Sequence, residues 1–235
     1  MDIRRFILNL CFVSLMVLLI PGFSLGYTWE RTFGGSGGDI GCEVRQTTDG
    51  GFIVAGQTQS FGTEACYLIK VDSSGNEEWS HLIRGNGNTF CSSIQLTSDG
   101  GFIMSGPTGG GPGGGGPQTF LLKTDSFGRE IWSRLLTGSG YAGELTSDGG
   151  FIITGSPTPW SYGQTLLLKT NSNGIEEWRK TFEIGNGWGE DVRQTADGGY
   201  FVVLGYGGSL IKTDPSGNEI WRKTLGLHLL ISPIF

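Results

Sequence analysis

The sequence predicts an all-β fold of about four repeated, four-stranded antiparallel units, and three observations carry that prediction. First, the words DGGF, DGGF, DGGF and DGGY begin at Asp49, Asp99, Asp148 and Asp197, a spacing of roughly 50 residues. Second, a longer word keeps the same beat: Lys70/Asp72/Gly75/Trp79, Lys123/Asp125/Gly128/Trp132, Lys169/Asn171/Gly174/Trp178 and Lys212/Asp214/Gly217/Trp221. Third, the segments between these words are strand-length runs bounded by Gly, Asp and Ser, with no competing helical period.

The first unit shows the elements in order. Glu43 to Thr47 alternates polar and apolar residues, Phe52 to Ala55 is continuously apolar, Tyr67 to Val71 is apolar, and Glu78 to Ile83 carries Trp79. The unbroken second run recurs at Phe102 to Met104, Phe151 to Ile153 and Phe201 to Leu204, which fits a strand covered on both faces. Units stacked side by side supply that cover, and such a unit is the blade of a β-propeller. Asp-Gly-Gly reads as a tight hairpin turn whose glycines supply positive φ, with Asp-x-x-Gly doing the same between the last two strands. Asp49, Asp99, Asp148 and Asp197 are therefore expected in turns. Trp79, Trp132, Trp178 and Trp221 are expected on outermost strands, flat against the neighbouring blade.

Arg4 and Arg5 precede an apolar run from Phe6 to Ile20, followed by Pro21, Ser24 and Gly26. Residues 1–26 therefore read as a signal peptide cut before Tyr27, and the chain is expected to be secreted or held at the cell surface or in the periplasm. An uncleaved anchor is the alternative, against which the run is short for a span. No second long apolar stretch follows, so no membrane span is expected after cleavage. A formal net charge of −6 without a basic cluster argues against nucleic acid as partner. The 43 glycines and 8 prolines are explained by the repeat rather than by disorder.

DGG(F/Y) words with a Lys-x-Asp-x-x-Gly-x-x-x-Trp-like ending resemble the secreted prokaryotic propellers grouped with the quinoprotein alcohol dehydrogenase-like superfamily. The resemblance runs over nearly all of Tyr27 to Trp221 and implies the propeller fold. It does not imply an activity, because one fold hosts many functions. No adjacent cysteine pair of the quinone-dependent dehydrogenases is present, and no cofactor is expected.

Four DGG words stand against five Trp strands, because Trp29 to Phe33 (WERTF) is a last strand without its three predecessors. Either Trp29 caps an edge or it belongs to a longer array. The propeller repeats are assigned to 27–225, and 226–235 form an aberrant apolar tail. The ring is expected to be incomplete or truncated, with open edges that favour self-association.

Motifs that could carry chemistry have plain architectural readings. Gly34 to Asp39 (GGSGGD) matches half of a calcium β-roll repeat, but only one copy exists. Gly138 to Gly143 (GSGYAG) matches GxGxxG without a following helix and reads as a flexible loop. His81 and His228 are too few for a histidine-rich metal site, and no metal is expected. Cys42, Cys66 and Cys91 are read as free, partly buried thiols in preference to a disulfide, with Cys42 and Cys91 at nearly equivalent repeat positions. Asp39, Glu43, Glu64, Glu144, Glu183, Glu190 and Asp191 are the off-pattern carboxylates a glycosidase would draw on.

Strand alternation places the repeated turns on one face and the second-to-third loops and interblade links on the other. That variable face holds Pro107 to Gln118, Pro157 to Gly163 and Gly185 to Asp191, and loops on a rigid scaffold are where binding concentrates. Trp160 and Trp188 are the two tryptophans outside the repeat register and both fall there. With Tyr162, Glu190 and Asp191 they form a candidate surface for a sugar ring or a cell-surface protein. The leading expectation is a non-enzymatic binding or surface-interaction module. A polysaccharide-acting hydrolase, a fragment of one, and a non-functional piece of a longer propeller are the alternatives.

Overall fold

The computed structural model describes residues 29–224 apart from 63, 86, 111–115, 159–162, 186 and 206–207, and every regular element among them is a β-strand. The proposed leader, the apolar tail, Trp160 and Tyr162 lie outside the described residues. The first sheet contains β1 (Asp39–Gln46), β2 (Phe52–Thr58), β3 (Ala65–Val71) and β4 (Glu77–Ile83). The second contains β5 (Gly87–Thr89), β6 (Ser93–Leu96), β7 (Phe102–Gly110), β8 (Gln118–Thr124) and β9 (Glu130–Thr137). The third contains β10 (Ser139–Leu145), β11 (Phe151–Ser156), β12 (Gln164–Thr170) and β13 (Glu176–Glu183), and the fourth β14 (Gly189–Gln194), β15 (Tyr200–Leu204), β16 (Ser209–Thr213) and β17 (Glu219–Thr224). All four are antiparallel meanders in chain order, except that β5 and β6 both pair with β7 as one first strand broken at Phe90 to Ser92. The described residues are thus all-β, with four blade-like sheets not closed by hydrogen bonds.

The two repeat words meet in each sheet. Asp49 Oδ1 accepts hydrogen bonds from Thr47 Oγ1 and Gly51 N at 2.5 and 2.9 Å, while its Oδ2 pairs with Lys70 Nζ at 2.8 Å. Lys70 is buried and also donates to Val71 O at 3.1 Å, so it ties the first turn to the end of the third strand. Lys123 to Asp99, Lys169 to Asp148 and Lys212 to Asp197 repeat the clamp at 2.9 Å each. Only the first glycine of each turn has positive φ, such as +84° at Gly50. The second is required for space instead: a β-carbon on Gly51 would overlap Val71 O and stand 2.7 Å from Lys70 Nζ. The expectation that both glycines serve backbone conformation is corrected accordingly.

Apolar layers fill the spaces between successive sheets. Ile53, Ala55 and Leu68 meet Ile94, Phe102 and Met104 between the first and second. Ile103 and Leu121 meet Phe151, Ile153 and Leu168 between the second and third, and Ile152 and Leu167 meet Val192, Val202 and Ile211 between the third and fourth. Burying such side chains contributes about 1.5–3 kcal/mol each, which makes these layers the main cohesion of the array.

At the outer end of each layer a tryptophan seats on a glycine of the next sheet. A β-carbon added to Gly128 would stand 2.7 Å from the Trp79 ring, and one on Gly174 or Gly217 would stand 2.5 Å from Trp132 or Trp178. Trp79 also tilts against Phe102 and Trp178 against Tyr200, with centroids 6.0 and 5.8 Å apart. Trp29 takes the corresponding place on Gly75 and Phe52 of the first sheet. Trp221 meets no further sheet among the described residues and lies against Phe201 of its own, 40% exposed.

Two further expectations are corrected. Cys66 and Cys91 form a disulfide, with Cα atoms 5.1 Å apart, and Cys42 is the free cysteine among the described residues. Cys66 on β3 faces the break between β5 and β6 of the next sheet, whereas repeat equivalence would have matched Cys42 with Cys91. The GSGYAG segment is not a loop, because Ser139 to Gly143 belong to β10 and pair with β11.

Candidate functional site

The first strands of three sheets, β1, β10 and β14, share a second repeated device. Their pairing slips at Gly41/Glu43, Gly140/Ala142 and Gly189/Asp191, leaving Cys42, Tyr141 and Glu190 as bulged residues. A bulge bends the strand and re-aims a side chain. Each bulged residue stands seven positions before the Asp of its DGG word, so all three occupy one repeat position.

In the third and fourth sheets this device builds a cluster toward the variable face. Tyr141 on β10 meets Trp188, just before β14, edge to face with centroids 5.8 Å apart. Trp188 donates a side-chain hydrogen bond to the Glu190 carboxylate, whose pKa is nevertheless raised above the ordinary value by burial. Gly205 N donates to Trp188 O at 2.9 Å, fixing the indole's backbone from the other side. All three side chains are half-buried. The cluster therefore offers fixed aromatic surface beside a hydrogen-bond acceptor already oriented by an indole N–H.

Asp191, one residue along β14, is placed apart from that cluster. Its Oδ1 accepts from Val192 N at 2.9 Å and its Oδ2 lies 3.4 Å from Arg193 Nε. Asp191 and Arg193 lie within electrostatic reach of Glu43 on β1, where Arg193 favours the ionised carboxylate and Asp191 opposes it. Trp188 and Glu190 are thus brought together, Asp191 is not, and Tyr141 was missed by sequence reasoning. Aligning the repeat copies on their DGG words would have paired Tyr141 with Glu190.

The remaining off-pattern carboxylates serve as cross-links. Glu43 Oε2 accepts from Ile94 N at 2.5 Å and its Oε1 pairs with Arg45, tying β1 to β6. Burial raises the Glu43 pKa despite these partners. Glu144 Oε2 accepts from Gln194 N at 2.7 Å, tying β10 to β14. Gln59 donates to Glu64 at 2.6 Å and Gln164 to Glu183 at 2.7 Å. Asp39 accepts from Thr58, Ser60 and Gly35 N, which anchors the GGSGGD loop to Thr58 and Ser60. Partial burial opposes ionisation of Asp39, yet these bonds hold its pKa below the usual carboxylate value. His81 lies over Trp79 with Nε2 3.0 Å from Phe127 O. Among the described residues, no group of three or more His, Cys, Asp or Glu side chains is placed to hold a metal ion.

No family model matches the chain, and no curated protein matches it. It is similar in structure to a protein of unknown function from Bacteroides caccae, with a TM-score of 0.50 and 16% sequence identity over 70% of this chain and 55% of that one. At that identity the likeness concerns the fold alone, and the chain spans about half the length of that protein.

Proposed function

We propose that this chain is an exported, non-enzymatic binding module of the DGG(F/Y)-repeat type, related to the quinoprotein alcohol dehydrogenase-like propellers, with a carbohydrate as ligand. The observation that carries the reading is the Tyr141, Trp188 and Glu190 cluster, which spans two sheets on the loop-bearing side. Aromatic faces stack on the apolar side of a sugar ring, and a neighbouring carboxylate accepts hydrogen bonds from its hydroxyls. The commitment of Glu43, Glu144, Glu64, Glu183 and Asp39 to structural hydrogen bonds favours binding over hydrolysis. The Cys66–Cys91 disulfide accords with export to an oxidising compartment, as does the leader-like N-terminus.

Screening the chain against a glycan array and insoluble cell-wall material should identify a polysaccharide ligand. Trp188→Ala should weaken that binding at least about ten-fold, equivalent to roughly 1.4 kcal/mol, without loss of cooperative unfolding. Equal binding by wild type, Trp188→Ala and Trp160→Ala would reject the reading.

A further inference from the structure

We infer that the exposed faces at the two ends of the array are the two halves of one more blade junction, which a second copy of this chain completes head to tail. In the fourth sheet Phe201, Val203 and Leu210 occupy the repeat positions of Ile53, Ala55 and Leu68, all of which are fully buried against the next sheet. Val203 is 39% exposed by contrast. At the other end Val44 is 36% exposed, whereas its counterparts Ile94 and Val192 are 0% and 1% exposed. The fourth sheet thus presents the donating half of a junction and the first sheet the accepting half.

The residues at the two ends also match as words. The junction between the third and fourth sheets is made by Trp178-Arg179-Lys180-Thr181 against Ser216-Gly217-Asn218: Trp178 seats on Gly217, and Lys180 Nζ donates to Asn218 Oδ1 at 2.9 Å. The fourth sheet carries the same donor word, Trp221-Arg222-Lys223-Thr224, and among the described residues no sheet stands opposite it. The first sheet carries the same acceptor word, Ser74-Gly75-Asn76. One copy therefore supplies what the other lacks, including a lysine for Asn76 and for the neighbouring carboxylate of Asp72.

In a single chain the seat on Gly75 is held by Trp29, whose indole N–H donates to Ser73 O at 3.2 Å. Residues 29–38 form no strand, so Trp29 fills the outer corner and leaves Val44 uncovered. Trp221 of a second copy would exchange with Trp29 and bring a whole sheet face with it. A head-to-tail contact closes into a ring or extends as an open array. Two copies would contain about eight sheets, at the upper end of the usual propeller range.

The test is sedimentation velocity on the purified chain over a range of concentrations. Wild type should associate into a dimer or longer array. Trp221→Ala/Val203→Lys (donating face spoiled) and Val44→Lys (accepting face spoiled) should each be monomeric, and an equimolar mixture of the two should restore a two-chain species. Lys223→Glu, an exposed change that leaves the apolar layers intact, should weaken association at least about ten-fold. Ile131→Lys, on the outer strand of the second sheet, should leave it unchanged. A wild type that stays monomeric overturns the inference, as does a mixture that fails to associate. Association that survives Lys223→Glu undiminished, or is lost equally with Ile131→Lys, overturns it too.

Discussion

Alanine at Gly174 should destabilise the chain about 2–5 kcal/mol, against about 1–2 kcal/mol for alanine at Gly100. Both glycines have positive φ, +71° and +83°, so both substitutions carry the left-handed backbone strain of an L-residue. At Gly100 nothing lies within 4 Å of the new β-carbon, and the strain is the whole effect. At Gly174 the β-carbon would stand 2.5 Å from Trp132 Cζ3 and 2.7 Å from its Cη2. Carbon pairs prefer about 3.5–4.0 Å, so the indole must retreat by about 1 Å and loosen the layer between the second and third sheets. Overpacking of that kind adds about 1–3 kcal/mol. Urea unfolding of the two single variants measures the difference, and a Trp132→Ala background should erase it, since the clash then has no partner. An excess below about 0.5 kcal/mol, or one that persists without Trp132, would refute the tryptophan seat as the cause.

The Lys–Asp clamps make two further predictions and the cysteines two more. Hydrogen bonds from Thr97 and Lys123 hold Asp99 to about 2, and those from Thr146 and Lys169 hold Asp148 to about 2 against the opposing effect of burial. Since these folded values lie below the unfolded ones, the stabilisation is complete above about pH 4 and lost as pH falls through about 2. Urea midpoints at pH 5, 3 and 2 should trace that decline, more shallowly in Asp148→Asn. Lys169 keeps Glu177 at 3.1 Å when Asp148 is removed, whereas Asp197 is the carboxylate paired with Lys212. Asp197→Ala should therefore lower the melting temperature more than Asp148→Ala, and the reverse order would count against the clamp. The disulfide closes a separation of 25 residues, so Cys66→Ser/Cys91→Ser should be less stable by about 3 kcal/mol in urea. Alkylation without reductant should label Cys42 and spare Cys66 and Cys91, as peptide mass mapping would show.

What the sequence disclosed was what lies close along the chain. Asp-Gly-Gly and Asp-x-x-Gly announce turns through local backbone requirements, and the runs between them announce strands, so sheet number and order were legible. Contacts set by register were not. Lys70 reaches Asp49 because β2 and β3 pair Ile53 with Lys70, a relation that no local preference encodes. The second glycine of the turn looked conformational, yet it is small because the clamp passes over it. The partner of Cys91 could not be read from repeat position, because equivalent residues of adjacent blades lie side by side along the array, whereas bonded ones must face each other. At the candidate site the off-register Trp188 was visible in the sequence. Tyr141 was hidden in a glycine-rich stretch that looked like a loop, and the bulge that turns Glu190 to the indole required the pairing of β14 with β15.

Equilibrium binding of a cell-wall polysaccharide to wild type, Trp188→Ala and Asp148→Ala, at a temperature where all three are folded, separates the repeat words from the face opposite them. Asp148→Ala should bind within about two-fold of wild type, and Trp188→Ala should be weaker by about ten-fold or more. Binding lost with Asp148→Ala and kept with Trp188→Ala would mean that the repeated turns, and not the loops facing away from them, carry the function.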